Sequence, residues 1–344
     1  MFSGAGRMNI LHISSHYGGG VGTVIRGWVD SDKNNNHVLT YLNDIPENKN
    51  NYSQLLDFKM ISDYDFVLCH VWNHPAMFEF LTAKEIPACR LLGWSHMSGL
   101  YPPYLLFDKL INFFDTFYYT SPISNACGIN REYIWSSCDI EPFLKIKKKK
   151  HKGFNIGYVG TVDFCKMYPG FINICEQINI PDVKFIVVGE GSDLDNLKGQ
   201  VKARGLNNKF RFTGLVKDIK QYLEQFDMFL YPLARTHFGT CEQVLGEAMA
   251  AGLPCVAFDN PAESFILSEN NIAGFVRRNE KEIIATIKII YNNINTGTMQ
   301  QLTRNIRRRA QALYSVETTA RQWNNVFDKF HSIDKKMKLW KRDQ

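Results

Sequence analysis

No stretch of this chain offers the roughly 20 uninterrupted apolar residues that a membrane-spanning helix needs, so no such helix is expected. The opening M-F-S-G-A-G-R, residues 1–7, is too short and too polar for a signal peptide; Met8 reads as the start, with an unstructured leader before it. The eight cysteines are Cys69, Cys89, Cys127, Cys138, Cys165, Cys175, Cys241 and Cys255. No two form a C-x-x-C pair and several sit in apolar runs, which points to a reduced cytoplasmic protein without a structural metal. No nucleic-acid-binding motif accompanies either basic run, 145–152 (K-I-K-K-K-K-H-K) or 335–342 (K-K-M-K-L-W-K-R), so nucleic acid is not an expected partner. These runs, which hold much of the net charge of +6, read as solvated faces or as a weak attraction to an anionic membrane leaflet. Internal repeats and other low-complexity segments are absent. With 344 residues, 45% of them hydrophobic and 22% charged, the chain exceeds a single core, and two soluble domains are expected.

Short apolar runs then alternate with segments long enough for helices. In the first half, strands are expected at 9–14, 37–42, 65–71, 90–95 and 117–123, and a helix at 23–29. Such alternation implies a parallel sheet covered on both faces, with ligands outside the C-terminal strand ends. A glycine-rich turn, H-Y-G-G-G-V-G at 16–22, follows the first strand, where it lets a ligand approach the backbone. Its spacing is not the dinucleotide fingerprint, since Thr23 or Ile25 takes the place of the third glycine. His12 reads as core. His16, the segment His70 to His74, and His96 fall near the ligand edge. His70 and His74 have metal-ligand spacing, but they straddle a strand end and Pro75. Residues 100–119 carry eight aromatics and read as a buried helix and strand, or as a surface docking on a membrane or a lipid acceptor.

A composition shift at 140–152, with Pro142, the lysine run and Gly153, marks the domain boundary. Strands resume at 155–159, 183–188, 210–213, 228–231, 255–258 and 274–276, with a long loop at 160–170. Helices are expected at 280–291, 298–314 and 316–333. The D-L-D at 193–195 reads as helix capping, or as a metal-binding carboxylate pair. The densest pattern is 237–252, H-F-G-T-C-E-Q-V-L-G-E-A-M-A-A-G. A strand ending at Pro232 leads into a polar loop, then a helix over 242–251 stopped by Gly252 and Pro254. Such a turn directs backbone N–H groups and the positive end of a helix dipole to one point, where a phosphate would sit. Glu247, one turn in, then suits sugar hydroxyls; the plain alternative is an acidic first turn that only complements the dipole.

The second half resembles the retaining glycosyltransferases of the GT-B fold, family four. The resemblance rests on G-Y-V-G-T at 157–161, F-I-V-V-G-E-G at 185–191, F-T-G at 212–214, D-M-F-L-Y-P at 227–232 and G-E-A-M-A-A-G-L-P-C-V-A at 246–257, in that order. The first half matches more loosely, through the glycine-rich turn, His96 and S-P-I-S-N-A at 121–126. The resemblance implies an α/β protein of two Rossmann-like domains facing across a cleft. An acceptor-binding domain would span 8–148 and a nucleotide-sugar-binding domain 149–315, with 316–344 a C-terminal helix crossing back to the first. It implies a nucleoside diphosphate sugar as donor substrate, no cofactor and no metal, and a glycan or lipid-linked hydroxyl as acceptor. Glu247 would take the ribose hydroxyls. Lys166, with helix-end N–H groups around Glu242, Gln243 and Val244, would face the diphosphate, as would Gly18, Gly19 and Gly20. His96 would orient the transferred sugar.

Two positions depart from the family pattern. Thr161 stands where an arginine is usual, and Gly239, followed by Thr240, stands where a glutamate eight residues before Glu247 is usual. Glu242 either takes over the sugar hydroxyls from an altered loop or leaves that job vacant, and Arg235 or Lys217 are candidate replacement cations. The expected reaction is transfer of a sugar with retained configuration: same-face attack, the leaving phosphate helping to deprotonate the acceptor, and the protein supplying the positive charge. Bacterial surface-polysaccharide or lipid-linked glycan assembly fits the basic and aromatic segments. The expected site of action is the cytoplasm, free or peripheral at the inner membrane face. The alternatives are a nucleotide-sugar epimerase and a non-catalytic glycan- or nucleotide-binding protein. Donor, acceptor and linkage stay open.

Overall fold

The computed structural model describes residues 7–16, 18–43, 53–83, 85–267 and 273–341. The expected leader, apart from Arg7, and Arg342 of the second basic run lie outside the described residues. The chain divides into two compact units. The first holds Met1–Asp139, Gly239–Cys241 and Ser315–Gln344; the second holds Ile140–Phe238 and Glu242–Tyr314.

The first unit runs β1 (Asn9–Ser14), α1 (Gly19–Ser31), β2 (Asn36–Tyr41), β3 (Ser53–Leu55), β4 (Phe66–Val71), α2 (Pro75–Ala83), β5 (Ile86–Cys89), β6 (Leu91–Ser95), α3 (Asp108–Ile111) and β7 (Thr116–Tyr119). Six strands form one parallel sheet in the order β3-β2-β1-β4-β6-β7. The second unit runs α4 (Glu141–Leu144), β8 (Phe154–Val159), α5 (Phe171–Glu176), β9 (Val183–Val188), α6 (Leu194–Ala203), β10 (Phe210–Phe212), α7 (Lys220–Leu223), β11 (Met228–Tyr231), α8 (Gln243–Ala250), β12 (Cys255–Phe258), α9 (Pro261–Leu267), β13 (Phe275–Arg277), α10 (Glu280–Asn293) and α11 (Gly297–Leu313). Its parallel sheet has the order β10-β9-β8-β11-β12-β13. The chain then returns to the first unit as α12 (Val316–Phe330) and β14 (Lys336–Lys338), which pairs antiparallel with β5. Both sheets reverse their direction of growth beside the first strand of the unit, between β1 and β4 and between β8 and β11. Such a switch point opens a crevice at the C-terminal strand ends.

Burial explains the strand patterns. β4 and β8 are buried at every position, as strands covered on both faces must be, and so read as continuous apolar runs. α12 is amphipathic and buries Val316, Ala320, Trp323, Val326 and Phe327 against β1, β4 and β6 and against α1. The Trp323 ring stacks on Trp28 of α1 at 5.5 Å and meets Trp94 edge-on at 5.3 Å.

Several expected boundaries shift. The glycine-rich turn is no loop beyond Gly18: α1 begins at Gly19, whose φ of +70° only glycine adopts at low cost, four residues before the expected start. The strand expected at 90–95 is preceded by the separate β5. The strand expected at 117–123 stops at Tyr119, because Pro122 opens a short helical turn whose Ile123 N–H is capped by Ser121 Oγ. Of the aromatics at 100–119, Phe114, Phe117, Tyr118 and Tyr119 are core, whereas Tyr104 and Phe107 are exposed. The 145–152 run is not simply solvated. Lys148 pairs with Asp227, Lys149 with Glu224, and Lys152 with Asp182 at 3.2 Å, all within the second unit.

Candidate active site

Two loops leave the switch point of the second sheet: residues 160–170 after β8 and 232–242 after β11. The first is held tightly. A Cβ on Gly189 would lie 2.0 Å from the Gly160 carbonyl oxygen, and one on Gly191 would lie 2.1 Å from that of Val162. Both positions therefore require glycine so that neighbouring turns can meet backbone to backbone. The Phe164 N–H donates to Asp193 Oδ2 at 2.8 Å, and the Ser192 hydroxyl to Asp163 Oδ2 at 2.8 Å. Hydrogen bonds from Cys165 and Ser192 hold the Asp163 carboxyl below the usual range. Asp193 thus corrects an expectation: it makes no side-chain cap on α6 and instead ties the 160–170 loop to the turn after β9. Asp195, beside it, is exposed and pairs with Lys198.

This loop positions Lys166, whose carbonyl accepts from the Ala234 N–H of the second loop at 2.7 Å. Its ammonium lies 3.2 Å from Glu242 Oε2. The Tyr231 hydroxyl at the end of β11 donates to the same oxygen at 2.6 Å, and His237 Nδ1 lies 3.8 Å from Oε1. On its other side, His237 Nε2 sits 3.0 Å from Glu263 Oε1. The Glu242 side chain is 3% exposed and that of Lys166 30%, so the line of charges runs from a buried carboxylate to an ammonium that water reaches. Burial favours the neutral form of Glu242, but Lys166, His237 and the Tyr231 hydrogen bond outweigh it and hold its carboxyl below the ordinary value. Burial also opposes charge on His237; the neighbouring Glu263 and Glu242 overcome it and raise that pKa.

Glu242 is the residue before α8, not its first turn, and its φ of +30° is rare for a side chain of this size. Its carbonyl accepts from Leu245 N–H at 2.9 Å and from the buried Tyr314 hydroxyl at 3.3 Å. A Cβ on Gly246 would meet the Tyr314 ring at 2.7 Å, so glycine lets α8 pack there. After the Glu242 turn, Gln243 and Val244 open α8, which follows the C-terminal end of β11. Glu247, one turn further, is partly exposed, makes no side-chain hydrogen bond among the described residues, and has its carboxyl pushed up to about 7 by burial. Thr161 is exposed, and its carbonyl accepts from Tyr158 at 2.9 Å. Arg235 is committed elsewhere, to Asp259 at 2.5 Å, Asn260 at 3.1 Å and the Phe258 ring at 4.2 Å. Lys217 is exposed.

Lys166, Glu242 and the start of α8 therefore converge within the second unit, together with Tyr231, His237 and Glu263, which sequence reasoning did not single out. A tyrosine closing an apolar strand and a histidine in a polar loop look ordinary until the loops fold back. Gly18, Gly19, Gly20 and His96 belong to the first unit, as do Gly239 and Thr240. The three glycines are exposed, and the Gly18 N–H donates to His16 Nδ1 at 3.0 Å. The Thr240 hydroxyl lies 3.0 Å from that of Thr120. His96 follows β6, at the edge where ligands of such sheets bind, and its Nε2 lies 3.0 Å from His70 Nδ1. His70 is wholly buried, not at the edge, and both its ring nitrogens are bonded to other histidines. His74 instead accepts from the Ala76 N–H.

Residues 139–309 match the family model described as glycosyl transferases group 1. The 2-deoxystreptamine N-acetyl-D-glucosaminyltransferase of Niallia circulans is 32% identical over 156 residues, covering 44% of this chain and 39% of that protein. The O-antigen biosynthesis glycosyltransferase WclY of Escherichia coli is 26% identical over 169 residues, 46% of this chain and 45% of that protein. The matched part thus spans less than half the length of these curated relatives. The crystal structure of Anabaena HepE in complex with UDP-glucose superposes with a TM-score of 0.73 at 18% identity, covering 94% of this chain and 100% of that one. Likeness at that identity establishes architecture: the fold is GT-B.

Proposed function

We infer, from the group 1 glycosyltransferase domain that residues 139–309 carry, that this protein transfers a sugar from a nucleoside diphosphate sugar to a hydroxyl acceptor with retention of configuration. The observation that carries the reading is Lys166, held 3.2 Å from the buried Glu242 at the start of α8. A diphosphate leaving group develops negative charge as the anomeric C–O bond breaks. A fixed ammonium and the N–H groups of Gln243 and Val244 meet that charge without reorganising. Glu242 is then the residue that aims Lys166, since both its oxygens already face Tyr231, Lys166 and His237. Glu247 takes the ribose hydroxyls with its uncommitted carboxylate, and His96 orients the transferred sugar.

The positive charge comes from the protein, so chelators should leave transfer unchanged. The relatives named above make UDP-linked N-acetylglucosamine and glucose the first donors to try, and surface-polysaccharide or lipid-linked glycan synthesis the expected setting. We place the protein in the cytoplasm, with peripheral membrane contact through the exposed Tyr104 and Phe107; co-sedimentation with anionic vesicles tests that contact.

Thermal-shift measurements with UDP-, GDP-, ADP- and CMP-sugars find the donor, because a tight ligand stabilises the fold by mass action. NMR of the product then gives the anomeric configuration. Stabilisation by one donor and transfer from it with retention support the reading. A Glu247→Ala variant with wild-type nucleotide affinity, or an inverted product, sinks it.

A further inference from the structure

Four histidines of the first unit form a single file. Asp32 Oδ2 lies 3.1 Å from His37 Nε2; His37 Nδ1 lies 2.8 Å from His12 Nε2; His12 Nδ1 lies 3.0 Å from His70 Nε2; His70 Nδ1 lies 3.0 Å from His96 Nε2. The strand register builds this line. Residues two apart on a strand share a face, so His12 follows Ile10, His70 follows Leu68, and His96 follows Trp94 on the α1/α12 side of the sheet. His37 is opposite Ile10, His12 opposite Leu68, and His70 opposite Trp94. Each step therefore moves one strand across and two residues up, from the foot of β2 to the ligand edge after β6. Trp28 and Trp94 wall the file, and Trp323 of α12 closes over both.

Such a file has a direction. A neutral imidazole has one N–H donor and one acceptor nitrogen. Asp32 accepts two further hydrogen bonds, from the Asn34 N–H and from Asn35 Nδ2, and its carboxyl is held at about 2 by partners that outweigh its burial, His37 first among them. An ionised carboxylate only accepts, so a neutral His37 carries its proton on Nε2 and leaves Nδ1 bare. His12 must then donate from Nε2, His70 likewise, and His96 likewise. Burial lowers the pKa of His12, His70 and His96 and keeps them neutral, His96 at about 3. His96 is left with an unprotonated Nδ1, which has no protein partner among the described residues.

We propose that Asp32, His37, His12 and His70 are a positioning relay that fixes the tautomer of His96, so that its Nδ1 meets the bound ligand as a hydrogen-bond acceptor. The ligand must then bring the proton. A sugar hydroxyl or amide N–H satisfies that site, and a carboxylate, as on a uronic acid, is refused because two acceptors meet. The statement about the ligand rests on the glycosyl-transfer reading; the statement about the tautomers does not.

The test is a long-range proton–nitrogen correlation spectrum of the full chain labelled with 15N-histidine, at neutral pH and without ligand. The expected result is four Nε2–H tautomers, at His12, His37, His70 and His96. An Nδ1–H tautomer or an imidazolium at His37, His12, His70 or His96 overturns the relay. Asp32→Asn then tests its origin. The Asn34 N–H draws the amide oxygen to one position and Asn35 Nδ2 draws it to the other, the one that faces His37, so the variant no longer holds His37 to a single tautomer. His96 should gain an Nδ1–H population, and kcat/KM with the donor found by thermal shift should fall about 2- to 10-fold while circular dichroism is unchanged. A His96 signal that does not move overturns the role of Asp32, and the wild-type spectrum decides the tautomers even where the variant does not fold. Absence of transfer with every donor overturns the functional reading alone, since the spectrum needs no substrate.

Discussion

Replacing Lys166 with methionine keeps the length of the side chain and removes its charge. The Glu242 carboxylate, 3% exposed, then loses the ammonium that lies 3.2 Å away. Breaking a buried ion pair from one side costs about 3–5 kcal/mol. Here the Tyr231 hydroxyl at 2.6 Å and His237 at 3.8 Å remain, and water reaches Lys166, so the expected loss is about 2–3 kcal/mol at neutral pH. The loss should depend on pH. In the wild type Glu242 sits below its ordinary 4.5, so its contribution is present above that value and is lost as pH falls through the folded value. Without Lys166, burial is the largest influence left and the folded pKa rises above 4.5. The variant then loses stability as pH climbs from 4.5 toward the new value, and the gap to wild type widens. Urea unfolding of both proteins at about pH 4 and about pH 7.5 measures this. A difference below about 0.5 kcal/mol, or one that stays constant with pH, refutes the claim that Lys166 is the counter-ion of Glu242.

With a carboxyl near 7 at Glu247, nucleotide affinity should rise about tenfold between about pH 6 and about pH 8 as the accepting carboxylate forms. Calorimetric titration should show that rise in the wild type and a flat profile in Glu247→Gln. Two glycines should respond oppositely to alanine. Gly191→Ala drives a Cβ to within 2.1 Å of a backbone oxygen and should cost about 1–3 kcal/mol or more in chemical denaturation. Gly199→Ala, exposed within α6 and open on every side, should stabilise by about 0.5–1 kcal/mol. Trp323→Ala empties the stack between Trp28 and Trp94 and should cost about 3–5 kcal/mol; a smaller loss would mean that α12 is not integral to the first unit.

Local chemistry was legible wherever one segment carried it. The alternation of short apolar runs with helical segments announced parallel sheets, because strands covered on both faces need no polar side. The run from Met228 to Pro254 announced a strand, a loop and the α8 helix through its own proline and glycine punctuation. The structure has Glu247 one turn into that helix, as its sequence position announced. Errors arose where a neighbour in space outcompeted a neighbour in sequence. Asp193 stands at a helix start, yet the Phe164 N–H, 29 residues away, takes its carboxylate. Glu242 looked like a helical residue, yet its turn is left-handed, with its carboxylate drawn into the Lys166–Tyr231–His237 cluster.

By itself the sequence determined two α/β domains, most of the strands that build them, and the loop-and-helix punctuation around α8. Periodicities of two and 3.6 residues and turn chemistry are local, and a chain displays them before it folds. The tertiary structure alone decided which of those motifs meet. Lys166 and Glu242 stand 76 residues apart and touch because β8 and β11 are neighbours at the switch point. Asp32, His37, His12, His70 and His96 form a line only because strand order and register place each imidazole diagonally beyond the last. No pattern along the chain encodes that geometry, since it is a property of the sheet.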